Sequence, residues 1–190
     1  MEQQTNVKKY KKKEIKYGTI YSRSLITRSI LLPINNIGKN INETIEKYIA
    51  IHYEGKCGVE GFIQAGSSKV VTFSSGIVHG INVQIEVVFE CQICCPVEGM
   101  LLQCLAKNIT KAGIRGESAD ESPSPIIVFI TRDHHYMSDY FSTIEEGSKF
   151  VARVIGQRFE LNDKYVSIIA ELVEPKKDKE PAKPRLVFED

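Results

Sequence analysis

The first residues in this chain with the means to do chemistry are its five cysteines. Cys91-x-x-Cys94-Cys95 has zinc-like spacing, and Cys57 and Cys104 could add ligands. A structural zinc needs four converging ligands, usually from two such pairs. No second Cys-x-x-Cys is present, and Cys91 falls in phase with an apolar strand face. Buried or edge thiols are therefore expected, with no metal and no cofactor. An odd cysteine count in a chain too long to need staples points to a reduced compartment.

His134-His135 follows Arg132-Asp133. Adjacent side chains on a strand or loop point in different directions, so the pair is expected on a surface loop, with contact to RNA as the other reading. No GxGxxG, P-loop, GxSxG or HExxH motif is present, and no carboxylate cluster. An enzyme is not expected.

Nucleic-acid chemistry has more support. Lys107, Lys111, Arg115, Arg132, His134, Arg153, Arg158 and Lys164 all fall in the second half of the chain. Small β-barrels bind single strands through a basic groove and stacking aromatics. Ile114-Arg115 stands where a stacking aromatic would be expected. Phe129, Tyr136, Phe159 and Tyr165 are candidates, although core packing explains Phe129 equally well. Arg158 fits an ion pair beside a turn as well as it fits an RNA contact.

These residues need a scaffold, and the hydrophobic period predicts one. Residues 19–32 read as a strand. Asn40 followed by Glu43 reads as a helix start with a reciprocal cap, and Ile41, Ile45, Tyr48 and Ile49 share one face of the helix that follows. Residues 58–64 and 68–74 read as short strands, and turns are expected at Ser75-Gly76 and His79-Gly80. In 81–93 every odd position is apolar, which predicts a long strand with one face on a core. Beyond Pro96, strands are expected near 99–108, 112–117, 126–131, 149–157 and 165–173. In the last of these, Val166, Ile168, Ala170 and Leu172 share a face. Residues 118–125 read as an acidic loop with solvated charges, and 132–148 as a longer connection with room for a helical turn.

The chain is thus expected to be α+β and mostly β. A flexible basic arm (1–18) precedes a helix packed on an antiparallel sheet (19–95). A five-stranded barrel (96–173) and a loose tail (174–190) follow. The arm is either a solubilising tail or a contact for nucleic acid or an acidic partner. Hydrophobic content of 42% with 26% charged residues is ordinary for a globular protein. No run of about 18 apolar residues is present to span a membrane, and the N-terminus lacks the core of a secretory signal. The net charge of +1 offers no global pull toward polyanions, so any such contact must be local.

The order of these pieces resembles a known family, the stalk subunit seven of eukaryotic RNA polymerase II and its archaeal counterpart. Glu54-Gly55-Lys56-Cys57 with Gly61-Phe62-Ile63 resembles the first sheet strand of that family's tip domain. Val88-Phe89 and Pro96-Val97-Glu98-Gly99 resemble its linker into an S1-type barrel. Asn108 to Ile114, followed by Phe129-Ile130-Thr131-Arg132, resembles the second and third barrel strands. Ile155-Gly156-Gln157-Arg158 with Asn162-Asp163 resembles the last hairpin. The match covers about 40–173. The Val88–Pro96 interval is longer than the family's, and the basic arm is extra. The 24 isoleucines resemble the divergent copies carried by large DNA viruses.

The resemblance implies an S1-type OB barrel and a non-catalytic polymerase subunit. The tip would wedge beside the clamp and bias it toward closure, and the barrel would touch emerging RNA. Implied partners are the clamp base of the largest subunit, a sixth-subunit-like protein, nascent RNA and, where present, a subunit-four-like protein. Docking residues implied are Gly55, Cys57, Gly61, Phe62, Pro96 and Gly99. The implied location is the virion and host cytoplasm for a viral copy, otherwise the nucleus. The alternative is a free-standing S1-type RNA-binding protein of translation or RNA decay.

Overall fold

A computed structural model describes residues 19–38 and 40–174; the expected arm lies outside them, as does the tail beyond Glu174. The protein is mostly β. Strand β1 (Tyr21–Pro33) leads through a 3-10 turn (Ile34–Asn36) into helix α1 (Ile41–His52). Strands β2 (Phe62–Ile63), β3 (Lys69–Phe73), β4 (Ile77–His79) and β5 (Asn82–Cys94) follow.

β5 is the spine of this half. It pairs antiparallel with β1 over its whole length, from Tyr21↔Cys94 to Pro33↔Asn82. Its other edge is shared end to end by β2, β3 and β4. Alternation buries Val83, Ile85, Val87, Phe89, Cys91 and Ile93 on one face, beside Ile26, Ile30 and Leu32 of β1. Helix α1 lays Ile45 and Ile49 on that face, with Ile41 and Tyr48 half-buried beside them. Each fully buried isoleucine contributes about 1.5–3 kcal/mol relative to exposure.

Three local expectations change. The reciprocal cap at Asn40 does not form: its side chain makes no capping hydrogen bond, and its carbonyl accepts from the Thr44 amide at 3.2 Å. The strand expected at 58–64 shrinks to 62–63, because Gly58 and Gly61 close a tight turn with a 2.8 Å backbone bond. Residues 77–79, where only the flanking turns at Ser75-Gly76 and His79-Gly80 were expected, form β4 and pair with 82–84 around Gly80 (φ 60°).

The second half holds β6 (Leu101–Ile109), β7 (Gly113–Ser118), β8 (Ile126–Thr131), a 3-10 turn (Arg132–His134), α2 (Asp139–Ser142), β9 (Lys149–Arg158) and β10 (Val166–Val173). The strands close a barrel in the order β10-β8-β7-β6-β9. β8 and β10 run parallel and the other pairs antiparallel. That arrangement is compatible with an OB-like barrel. Val166, Ile168, Ala170 and Leu172 all point into its core. Asn162, at φ 70°, turns the β9–β10 loop.

The two halves are bonded together. The Cys57 amide donates to the Asp163 carbonyl at 2.7 Å, and the Asn162 amide donates to the Cys57 carbonyl at 2.9 Å. Cys57 and Cys94 lie in the barrel's buried cluster, with Phe62 and Tyr21 packed against it. Glu121, expected to be a solvated loop charge, accepts from the Tyr21 hydroxyl at 2.6 Å and from Gln64 Nε2 at 3.3 Å. Burial, and then the Glu121 carboxylate, hold the proton on the Tyr21 phenol and raise its pKa. Among the described residues no helix is long and apolar enough to cross a membrane.

Gly61 sits inside this junction at φ 132°, and a Cβ there would lie 2.7 Å from the Cys94 carbonyl oxygen. Gly61→Ala is expected to cost at least ~1–3 kcal/mol in backbone strain, read as a lower urea midpoint at unchanged m-value. An unchanged midpoint would refute the constraint.

Candidate nucleic-acid interface

One row of residues crosses the outside of the barrel. The register places Asn108 of β6 opposite Arg115 of β7, Arg115 opposite Phe129 of β8, Phe129 opposite Ile169 of β10, and Ile169 opposite Gly156 of β9. Directly opposed residues share a face. Asn108, Arg115, Phe129 and Ile169 are all exposed. Phe129 therefore points out of the barrel, 41% exposed, while Ile114 points in. A Cβ on Gly156 would meet nothing within 4 Å, so the row ends in open space.

The eight expected cations do not form a single patch. Lys107 occupies the position where the β6–β7 register slips, a bulge that turns its side chain outward. It pairs with Glu117 at 3.5 Å. Arg153 pairs with Glu171 at 2.7 Å and Arg158 with Glu160 at 3.0 Å. These are exposed pairs, worth ~0–1 kcal/mol each, so a polyanion can compete for them. Among the described residues, Lys111, Arg115, His134 and Lys164 have no carboxylate at ion-pair distance. Arg158 and Lys164 flank the β9–β10 loop, whose Asn162 and Asp163 face the N-terminal sheet. Lys111, Arg132 and His134 lie at the opposite end, where β6 and β8 finish.

At that end Ile109, Thr110, Lys111 and Arg132 line an open cleft of about 530 Å³. Arg132 is braced within it. Its Nε donates to the Lys111 carbonyl at 3.0 Å, and its guanidinium lies 4.9 Å over the Phe141 ring. His134 is exposed, while its neighbour turns inward. His135 Nε2 accepts from the Leu172 amide at 2.8 Å, its Nδ1 faces the Thr131 carbonyl at 2.9 Å, and its ring stacks on Phe141. The adjacent histidines thus divide into one surface group and one structural group. Sequence reasoning did not find this role for His135, because the partner amide lies on β10.

An exposed phenyl ring flanked by an arginine suits a stacked base with its phosphate nearby. Tyr136 (76% exposed) and Tyr165 (43%) add exposed rings, whereas Phe159 packs half-buried against the barrel core. Arg115 and Phe129 are the pair that the fold brings together, with Lys111 at the end of the same hairpin.

The cysteines do not converge. Cys91 and Cys94 fall on opposite faces of β5, one in the sheet core and one in the barrel core. Burial pushes the thiol of Cys57 up to about 11, of Cys91 to about 11, of Cys94 to about 12 and of Cys104 to about 12. Cys95 alone is half-buried, with Gln157 Nε2 3.3 Å from its sulfur. Of the six expected docking residues, Cys57, Gly61 and Pro96 are buried and Phe62 packs against the barrel core. Gly55 and Gly99 are exposed turn glycines with φ of 71° and 82°.

A scan against models of known protein families finds no match, and a search of curated proteins finds none similar to this chain.

Two outcomes are expected. Phe129→Ala and Arg115→Glu should each weaken binding of a single-stranded oligonucleotide by roughly 5- to 150-fold, the equivalent of ~1–3 kcal/mol, while Arg158→Glu changes it little. Fluorescence anisotropy at two salt concentrations checks this. With a thiol reagent at pH 8, one fast-reacting group is expected in the folded protein. Cys95→Ser should remove it, and the other four should react only after unfolding.

Proposed function

We propose that this chain is a non-catalytic stalk subunit of a multi-subunit DNA-directed RNA polymerase, docking beside the clamp and touching the transcript as it leaves. In this reading 19–95 is the tip and 96–173 an S1-type OB barrel, and the source is a large DNA virus. The observation that carries it is the exposed row Asn108–Arg115–Phe129–Ile169 on a closed barrel tied to a helix-and-sheet unit. Stretches that resemble the stalk family supply two members of that row, Asn108 and Phe129; Arg115 lies just outside the Asn108–Ile114 stretch.

The backbone bonds between Cys57 and the Asn162-Asp163 turn also support the reading. They join the two halves at a point where a stalk must transmit the orientation of its barrel to its base. A second reading, a free-standing S1-type RNA-binding protein, is favoured by the same exposed ring and guanidinium, which would serve either role.

Affinity purification of the tagged chain with mass spectrometry separates the two. Recovery of polymerase core subunits in stoichiometric amounts is expected. Recovery of ribosomal or RNA-decay proteins without the polymerase would replace the proposal with the second reading. Lys111→Glu/Arg115→Glu should then lower crosslinking to nascent RNA without reducing recovery of the core; unchanged crosslinking would remove the transcript from the proposal.

A further inference from the structure

We propose that His135 positions Arg132 to hold a single phosphate of a bound RNA strand, in the open cleft at the end of the barrel. The inference rests on the nucleic-acid reading of the barrel wall. Its starting point is the place where two strands part. β8 and β10 run side by side from Ile126↔Val166 to Phe129↔Ile169, and β8 then leads away into its 3-10 turn. Leu172 keeps Ala152 of β9 beside it. On the side that β8 has left, the imidazole of His135 serves the Leu172 amide. Its Nε2 accepts from that amide at 2.8 Å, and its Nδ1 lies 2.9 Å from the Thr131 carbonyl. With Nε2 as acceptor, the proton sits on Nδ1 and is donated to Thr131. The ring is thus neutral and fixed from both nitrogens.

From that anchor a chain of contacts runs outward. The His135 ring stacks on Phe141, with centroids 5.7 Å apart and planes 20° from parallel. Phe141 is buried, and its ring carries the Arg132 guanidinium at 4.9 Å. Arg132 Nε donates to the Lys111 carbonyl at 3.0 Å, and the Arg132 amide donates to the Ala112 carbonyl at 2.9 Å. The turn that offers those carbonyls is itself closed, because the Thr110 amide donates to the Gly113 carbonyl at 2.9 Å. The backbone, the Nε and one face of the guanidinium are therefore all held. The two terminal nitrogens remain to donate outward, beside the ammonium of Lys111. Among the described residues, neither side chain has a carboxylate at ion-pair distance.

The charge of the cleft decides what it takes. Arg132 and Lys111 line it together with Ile109 and Thr110. One carboxylate borders it: Glu146 Oε1 accepts from the Ile109 amide at 3.3 Å. Two cations against one carboxylate leave a single positive charge, the match for one phosphodiester. A guanidinium edge and an ammonium are good donors to phosphoryl oxygens. An acidic peptide offers the same charge, but the neighbouring ring favours a nucleic-acid strand. Exposed Phe129 precedes Arg132 by three residues, at most about 11 Å along the chain, and bases stack on such rings. One strand can reach both. His135 touches neither base nor phosphate in this arrangement. It acts through Phe141 on where the guanidinium stands, and so removes rotamer freedom that binding would otherwise have to remove.

The test uses the full chain and a fluorescent oligouridylate, followed by anisotropy over a series of salt concentrations. Arg132→Ala is expected to flatten the plot of log affinity against log salt by about 0.7, the share of one phosphate on a single strand. His135→Leu is expected to flatten it equally, and the double variant no further. In nitrogen-15 spectra the Nε–H signal of Arg132, protected by the Lys111 carbonyl, is expected in the wild type and lost in His135→Leu. Should that variant fail to fold, His135→Asn is read in its place. A normal slope or a retained Nε–H signal in the His135 variant overturns the positioning role, and so does a loss that adds to that of Arg132→Ala. An unchanged slope in Arg132→Ala overturns the phosphate site. Tighter binding of a polyglutamate peptide than of the oligouridylate, abolished by Arg132→Ala, gives the cleft to an acidic peptide and overturns the proposal as well. Failure of the wild type to bind the oligouridylate overturns the nucleic-acid reading itself and, with it, the phosphate, while the Nε–H signal still reports the brace on Arg132.

Discussion

A β-strand has two edges, and the N-terminal half of this protein follows from how β5 shares its own. One edge is taken by β1 for all thirteen positions. The other must therefore serve three short strands in succession, which is why β2, β3 and β4 lie end to end. Since β5 buries alternate residues on one face only, a single helix suffices to cover that face. The outer face stays open, with an Arg23–Glu90 ion pair among its exposed groups. At its last residues the alternation stops, and Ile93 and Cys94 are both buried. There the strand leaves the sheet core and enters the barrel core.

That handover makes the junction a continuation of two cores rather than a linker. Cys57 supplies an amide, a carbonyl and a buried side chain to the barrel side. Glu121 reaches the other way to Tyr21 and Gln64. A carboxylate accepting two hydrogen bonds in a half-buried site is a stronger tie than the exposed ion pairs elsewhere. The junction leaves exposed the far end of the N-terminal sheet and, on the barrel, the outer wall with the loop around Lys111.

The barrel wall shows how an OB-like closure separates inward packing from outward display. Inward positions fill the core with Val128, Ile130, Val154, Val166 and Ile168. Outward positions carry Arg115 on β7, Phe129 on β8 and Ile169 on β10, and the exposure of the two apolar ones costs some burial. Among the described residues, Lys107, Arg153 and Arg158 are paired with neighbouring carboxylates, whereas Lys111 and Arg115 at one end and Lys164 at the other are not. With a net charge of only +1, any pull on a polyanion would have to be local and short in range.

Much of the scaffold was legible because it rests on local periodicity. The α1 face, the odd positions of 83–93 and the even positions of 166–172 follow from residue spacing along one element, and spacing is all that a sequence states directly. What stayed hidden depends on contacts between distant residues. The run Ile126–Ile130 is apolar throughout, so it carries no alternation to say which side chains turn outward; only pairing with β7 and β10 puts Phe129 on the surface. His135 looked like its neighbour until β10 offered it an amide. Glu121 looked solvated until Tyr21 came within reach. The chain alone thus determined which residues could share a face. Tertiary pairing decided which face meets solvent, because that choice belongs to strands brought together from far apart in the chain.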